Sequence, residues 1–129
     1  VEYFEIREKK NKIESLKERI VRLRSSIEFG ERMMGGGASS AEKDKLSRKM
    51  AQLLTLENEL MEETGRIEIM IRVVENDIDS LPENMRRVVR LRDIDCNTWY
   101  RVSKKAHYSQ SHCRKLHADA IQALKVKHK

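Results

Sequence analysis

The sequence is poor in the residues that build sheets and turns. It has one proline, five glycines and only 5% aromatics in 129 residues. A β-sandwich or a βα enzyme needs more turn residues and more β-branched and aromatic side chains than this. Every charge-free run is far shorter than the roughly 20 apolar residues of a membrane span. No apolar segment with a basic flank and a cleavage site opens the chain, so an export signal is not expected. Two cysteines, Cys96 and Cys113, are too few for a disulfide framework. They are expected as free thiols in a reducing cytoplasm. A Gly-rich phosphate loop, a nucleophile elbow and a carboxylate pair in an apolar pocket are all missing, so a non-enzymatic, cofactor-free role is expected. The first residue is Val1 rather than Met, which is consistent with residues missing from the N-terminus.

What is abundant is charge, 37% of all residues against 39% hydrophobic. This balance points to an all-α chain built from long solvated helices. The charge is unevenly spread. Residues 1–81 carry 15 Lys+Arg and 17 Asp+Glu, whereas residues 82–129 carry 12 and 4, a net of +8. All four histidines (His107, His112, His117 and His128) also lie in the second part. A compact basic segment of this kind suits a polyanion, most often nucleic acid.

Heptads begin at once. Ile6, Ile13, Ile20 and Ile27 are spaced by seven, with Leu16 and Leu23 between them. This is an a/d seam, with Ile at a, Leu at d, and Lys9 as a polar break at one d position. The spacing predicts a helix from about Glu2 to Met34. Gly35-Gly36-Gly37 ends it, because glycine reaches positive φ at little cost. Ser39-Ser40-Ala41-Glu42 then reads as a capping box for a second helix. Its heptads run through Leu46, Met50, Leu53, Leu60, Ile67, Ile71, Val74, Ile78 and Leu81, with Glu57 and Thr64 interrupting the a positions.

The short glycine loop predicts a long antiparallel helical hairpin, a coiled coil over residues 1–80. Leu54 and Met61 widen the apolar face of the second helix on one side, Leu56 and Met70 on the other. Two hairpins are therefore expected to pair as a four-helix homodimer. The seam of this dimerisation module is Ile6, Ile13, Leu16, Ile20, Leu23 and Ile27 with Leu46, Met50, Leu53, Leu60, Ile67 and Ile71. A parallel dimer through the first helix alone is the competing arrangement.

Leu81-Pro82 marks a boundary, since proline suits a first helical turn and disfavours helix in the residue before it. A small second domain is expected over residues 81–129. From Pro82, Met85, Val88, Val89 and Leu91 define a one-sided helix, and Asp93 to Asn97 reads as a polar break. Thr98 is a good N-cap for a short helix with Val102 and Ala106 inward. His107-Tyr108-Ser109 is a tight turn. A last helix, from Gln110 to about Lys125, carries Cys113, Leu116, Ala120, Ile121 and Leu124 on one face. A short helix, a three-residue turn and a longer basic helix make a helix-turn-helix pattern.

These residues also carry a family resemblance. The segment from Leu81 to Lys125 resembles the fourth conserved region of the sigma-70 family. The matching positions are Leu81-Pro82, Arg86, Val89, Leu91-Arg92, Thr98, Val102, Ala106, Ser109, Cys113, Leu116, Ala118, Ala120, Ile121 and Leu124. The segments with which sigma factors melt promoter DNA have no counterpart. A helical hairpin followed by such a module looks like the small phage-encoded transcriptional activators of the RinA and ArpU type. The resemblance implies a DNA-binding regulator of phage late genes that also touches RNA polymerase.

By the same resemblance the last helix enters the major groove, and Gln110, Ser111, Arg114 and Lys115 reach the bases. The family commonly has Arg and Glu at the first two of these positions, so a site other than the usual upstream hexamer is expected. Gln suits adenine, and Arg or Lys suits guanine. Arg101, Lys104 and Lys105, with Thr98 and His112, are candidates for phosphates, which set register and affinity. Arg86, Arg87, Arg90 and Arg92 read either as a solvated face or as a surface toward polymerase. Trp99 reads as core or cap packing, and Tyr108 as core with its hydroxyl at the surface.

Zinc is not expected. Cys113 and His117 have usable i, i+4 spacing, but with Cys96, His107 and His112 they form no C-x-x-C or H-x-x-x-H frame. Two other functions stay open on the sequence. One is a phage DNA-packaging subunit of the small-terminase kind. The other is an adaptor that binds polymerase or a sigma factor and never touches DNA.

Overall fold

The computed structural model describes residues 5–127, with side chains through Lys125. Glu2, where the first helix was expected to begin, and His128 lie outside the described residues. All regular structure in them is helical: α1 (Glu5–Met33), α2 (Ser40–Ile78), α3 (Glu83–Val89), α4 (Trp99–Ala106) and α5 (Gln110–Lys127), with a π-helical turn, Arg90–Ile94, continuing α3. Among the described residues no helix is long and apolar enough to cross a membrane. The chain divides into two compact units, Lys9–Arg66 and residues 1–8 with 67–129. The helix break falls at Leu81-Pro82, as the proline requires, but the packing division lies within α1 and α2.

In the unit Lys9–Arg66, α1 and α2 run in opposite directions. Lys9 pairs with Glu63, Arg24 with Glu57 at 2.9 Å, and the Lys49 ammonium donates to Ser26 Oγ at 2.7 Å. Leu16, Ile20 and Leu56 form its core, flanked by Leu23, Leu53 and Leu60. The Glu42 N–H donates to Ser39 Oγ at 3.2 Å, the cap expected of S-x-x-E. The glycines act differently from expectation. None of them takes a positive φ. They end α1 through poor helix propensity alone, not through a left-handed cap.

The inward stripe of α2 also departs from the sequence reading. Leu56 and Glu63 are buried, at 5% and 1% exposure, while Met50 is 43% exposed. Leu56 carries more apolar area than its neighbour Glu57, so turning Leu56 inward and leaving Glu57 to Arg24 is the cheaper choice. Glu63 follows it one heptad later. A buried carboxylate needs partners, and Glu63 has three: Lys9 at 2.8 Å, Lys12 at 3.3 Å and Arg66 at 2.7 Å. The polar break of the α1 seam thus faces an acid of the α2 seam.

The second unit centres on Val88, Val102, Ala106, Cys113 and Leu116, with Met85, Leu91 and Trp99 packed against them. Ile6, Val74 and Ile78 are also fully buried, and Arg90 forms a fork on Glu75 with contacts of 2.7–3.1 Å. The expected polar break at Asp93 is instead helical. The N–H of Asp95 donates to the Arg90 carbonyl at 2.9 Å, the i to i+5 bond of a π-turn, and Asp93 and Ile94 are buried. Among the described residues the left-handed ones are Cys96 (φ 58°) and His107 (φ 62°), at the two breaks of this unit where no glycine stands.

The three cations around Glu63 hold its carboxyl at a pKa of about 2; the Lys9 hydrogen bond is the largest cause, and burial opposes it. A depressed carboxyl contributes stability above its unfolded pKa, near the ordinary glutamate value of about 4.3, and loses it as pH falls through its folded value. Thermal unfolding followed by circular dichroism should therefore show a loss of stability between about pH 4.3 and 2. The loss should be smaller in Glu63→Gln; an unchanged acid limb would contradict this assignment.

Candidate nucleic-acid interface

Two helices and their joint position the candidate residues. Thr98 caps α4, its Oγ1 accepting from the Arg101 N–H at 3.3 Å. The chain leaves α4 through left-handed His107, whose N–H bonds back to the Ser103 carbonyl. Ser109 then caps α5, accepting from the His112 N–H at 3.1 Å. The joint is thus closed at both ends by local hydrogen bonds, and the α4 and α5 faces toward the core carry Val102, Ala106, Cys113, Leu116, Ala120 and Leu124, all buried. Burial pushes the Cys113 thiol up, as befits a core thiol.

The opposite faces carry the predicted contact residues. Gln110, Ser111, Arg114 and Lys115 are exposed on α5, and so are Thr98, Arg101, Lys104, Lys105 and His112. Two of these cations lie against aromatic rings. Lys104 Nζ is 5.3 Å from the Tyr100 ring centre, and the Arg114 guanidinium is 5.8 Å from that of Trp99. Tyr108 departs from its expected place in the core. It is 39% exposed and meets the His112 ring edge-on, with centroids 4.8 Å apart. The left-handed turn at His107 directs it outward with the other residues of the joint.

The arginines of α3 and the π-turn are engaged by groups of the same unit, although Arg87 and Arg90 stay exposed. Arg86 donates to the Asp79 carbonyl at 3.2 Å and Arg87 to that of Lys105 at 2.6 Å. Arg90 holds Glu75, which raises the Arg90 pKa above its ordinary value. Arg92 donates to the Asn97 carbonyl at 2.9 Å and stacks on Trp99 at 4.5 Å. These contacts tie the unit together, while Arg87 and Arg90 also keep an exposed surface.

Sequence reasoning missed Asp93. Its Oδ2 lies 2.6 Å from His117 Nε2, and the His117 ring meets Trp99 edge-on at 5.3 Å. The pair joins the π-turn to α5 across 24 residues, and no local pattern announces it. It also gives His117, half of the one candidate zinc spacing, a carboxylate partner. Among the described residues no group of three or more His, Cys, Asp or Glu side chains could hold a metal ion.

The expected seam residues divide by burial. Ile6, Ile13, Leu16, Ile20, Ile27 and Ile67 are buried within the single chain. Leu23, Leu46, Leu53, Leu60 and Ile71 are half-buried, and Met50 is exposed. Large apolar residues outside that seam remain uncovered: Val21, Phe29, Leu54 and Met61 are each more than half exposed.

Comparison with protein-family models, with curated proteins and with solved structures finds no match. The chemistry of the site therefore rests on its own residues. An exposed face of cations, amide and hydroxyl groups on two capped helices can bind a polyanion and hydrogen-bond to base edges.

Proposed function

We propose that this protein is a sequence-specific DNA-binding transcriptional regulator of the kind phages use as late-gene activators, acting as a dimer and contacting RNA polymerase. In this reading α4, the turn and α5 are a helix-turn-helix, and α5 is the reading helix. The observation that carries it is the sorting of charge within residues 82–129. The arginines of α3 and the π-turn, with Arg87 and Arg90 exposed among them, are bonded within the unit to carbonyls and a carboxylate, and Arg92 lies on Trp99, while Arg101, Lys104, Lys105 and Lys115 of α4 and the first turns of α5 are exposed. Structural needs are met without Arg101, Lys104, Lys105 and Lys115, which leaves these cations for phosphates and bases. Thr98 keeps its O–H as a donor even while its oxygen caps α4.

Dimerisation is supported by the apolar residues that the single chain leaves uncovered. On α2, Met50, Leu54 and Met61 share one side at helical spacing and are 43%, 60% and 73% exposed. In this arrangement α1 and α2 form an antiparallel hairpin, and a second copy covers the side that the first leaves open. Sedimentation of the full chain at micromolar concentration should give a dimer, and Leu54→Glu with Met61→Glu should give a monomer. A monomeric wild type would contradict this assembly.

DNA recognition is tested with variants on a site selected from random oligonucleotides and on random duplex. Gln110→Ala and Arg114→Ala should each cost about 1–3 kcal/mol on the selected site and little on random DNA. Lys104→Ala should weaken both alike. Affinity should fall steeply with salt, by a slope of about −0.9 per phosphate neutralised. Equal losses for all three variants on both duplexes would contradict base reading by α5. Affinity that is flat with salt would favour a protein-binding adaptor.

A further inference from the structure

Two guanidinium groups lie on Trp99, and a third, that of Arg7, bonds to the backbone of one of them. Arg92 lies 4.5 Å and Arg114 5.8 Å from the indole centre. Arg7, from the first turn of α1, donates through Nη2 to the Arg92 carbonyl at 3.3 Å. Among the described residues none of the three forms an ion pair with a carboxylate. The neighbouring acid, Asp93, is itself held by His117. The positive charge at this corner is therefore unbalanced. Arg92 registers it, for burial and then Arg7 and Arg114 hold its pKa below the ordinary arginine value, and Asp93 only partly offsets them.

Such a cluster is costly in the free protein unless an anion meets it. A phosphate group fits, because its oxygens match the planar fork of guanidinium nitrogens. Arg92 is the least free of the three, with its Nη1 on the Asn97 carbonyl and its plane on the indole. Arg7 uses one nitrogen on the Arg92 carbonyl and is half-buried, so its fork is held in place with donors to spare. We propose that Arg7, held on the Arg92 carbonyl beside the arginines that lie on Trp99, takes one backbone phosphate of duplex DNA.

The proposal rests on the DNA-binding reading and extends it to a residue 107 positions away in sequence from Arg114. Arg7 belongs to the heptad-bearing segment and carries no signature of contact with nucleic acid. The phosphate it takes borders the bases that Gln110 and Arg114 read, so it fixes the register of α5 in the groove.

The test uses the full chain and fluorescence anisotropy of labelled duplexes, selected and random, across a salt series. Arg7→Gln should weaken binding to both duplexes severalfold and lower the salt slope by about 0.9. Arg7→Lys should keep most of the slope, because a charge remains. Lys17→Gln removes the same charge from an exposed lysine paired with Glu14 and should change neither. Far-UV circular dichroism of each variant, matching the wild type, confirms that the helices persist. An Arg7→Gln slope equal to wild type overturns the phosphate site and leaves the DNA reading standing. An equal effect from Lys17→Gln also overturns it, since bulk charge would then explain the loss. A wild type that binds neither duplex overturns the DNA reading, and the site falls with it.

Discussion

The contact between Asp93 and His117 is the polar constraint on which the basic unit depends. A single helix presents one face to a partner only if its other face is held. α5 is held on its apolar side by burial of Cys113, Leu116, Ala120 and Leu124, and apolar contact alone tolerates rotation and sliding. The 2.6 Å contact adds direction. It requires Asp93 to point inward, which the π-turn achieves by inserting one extra residue per turn before the chain breaks at left-handed Cys96. It also brings the His117 ring against Trp99, and with it the indole that Arg92 and Arg114 lie on. The orientation of the outer face of α5 thus follows from a buried acid on another element.

Buried charge plays a parallel part in the other unit. Glu63 and Lys9 meet at seam positions of their two helices, with Lys12 and Arg66 completing the set. Sliding α1 by one heptad would bring Leu16 to the place of Lys9 and remove the hydrogen bond that does most to hold Glu63 ionised, although Arg66 would stay beside it. Losing one partner of a buried carboxylate is unfavourable, so the pair favours the observed register over one set by Leu and Ile alone. In both units a carboxylate inside an apolar stripe looks, in isolation, like an interruption. It becomes intelligible only with its distant partners.

That is where sequence reasoning succeeded and where it stopped. The helices, their caps at Ser39, Thr98 and Ser109, the three-residue joint and the buried face of α5 were legible, because each depends on residues within about one turn of one another. The solvent-facing basic residues of α4 and α5 followed from the same periodicity. The inward choice of Leu56 over Glu57, the burial of Asp93 and the internal commitments of Arg86, Arg87, Arg90 and Arg92 were not legible. Each is decided by a partner beyond one helical turn, from 5 to 24 residues away, or by competition between two adjacent side chains for one buried place. The glycine loop was located correctly for the wrong reason: its residues break the helix without positive φ, and the left-handed positions went to Cys96 and His107.

If the proposed reading holds, the exposed residues of α4, the joint and α5 meet DNA, and amide chemical-shift mapping tests this without presupposing the site sequence. Isotope-labelled protein titrated with a short duplex should show its largest shifts over residues 98–115, at the start of α4, the joint and the first turns of α5. Shifts confined to residues 40–66, or no shifts at concentrations where a basic domain of this charge should bind non-specifically, would contradict the central claim.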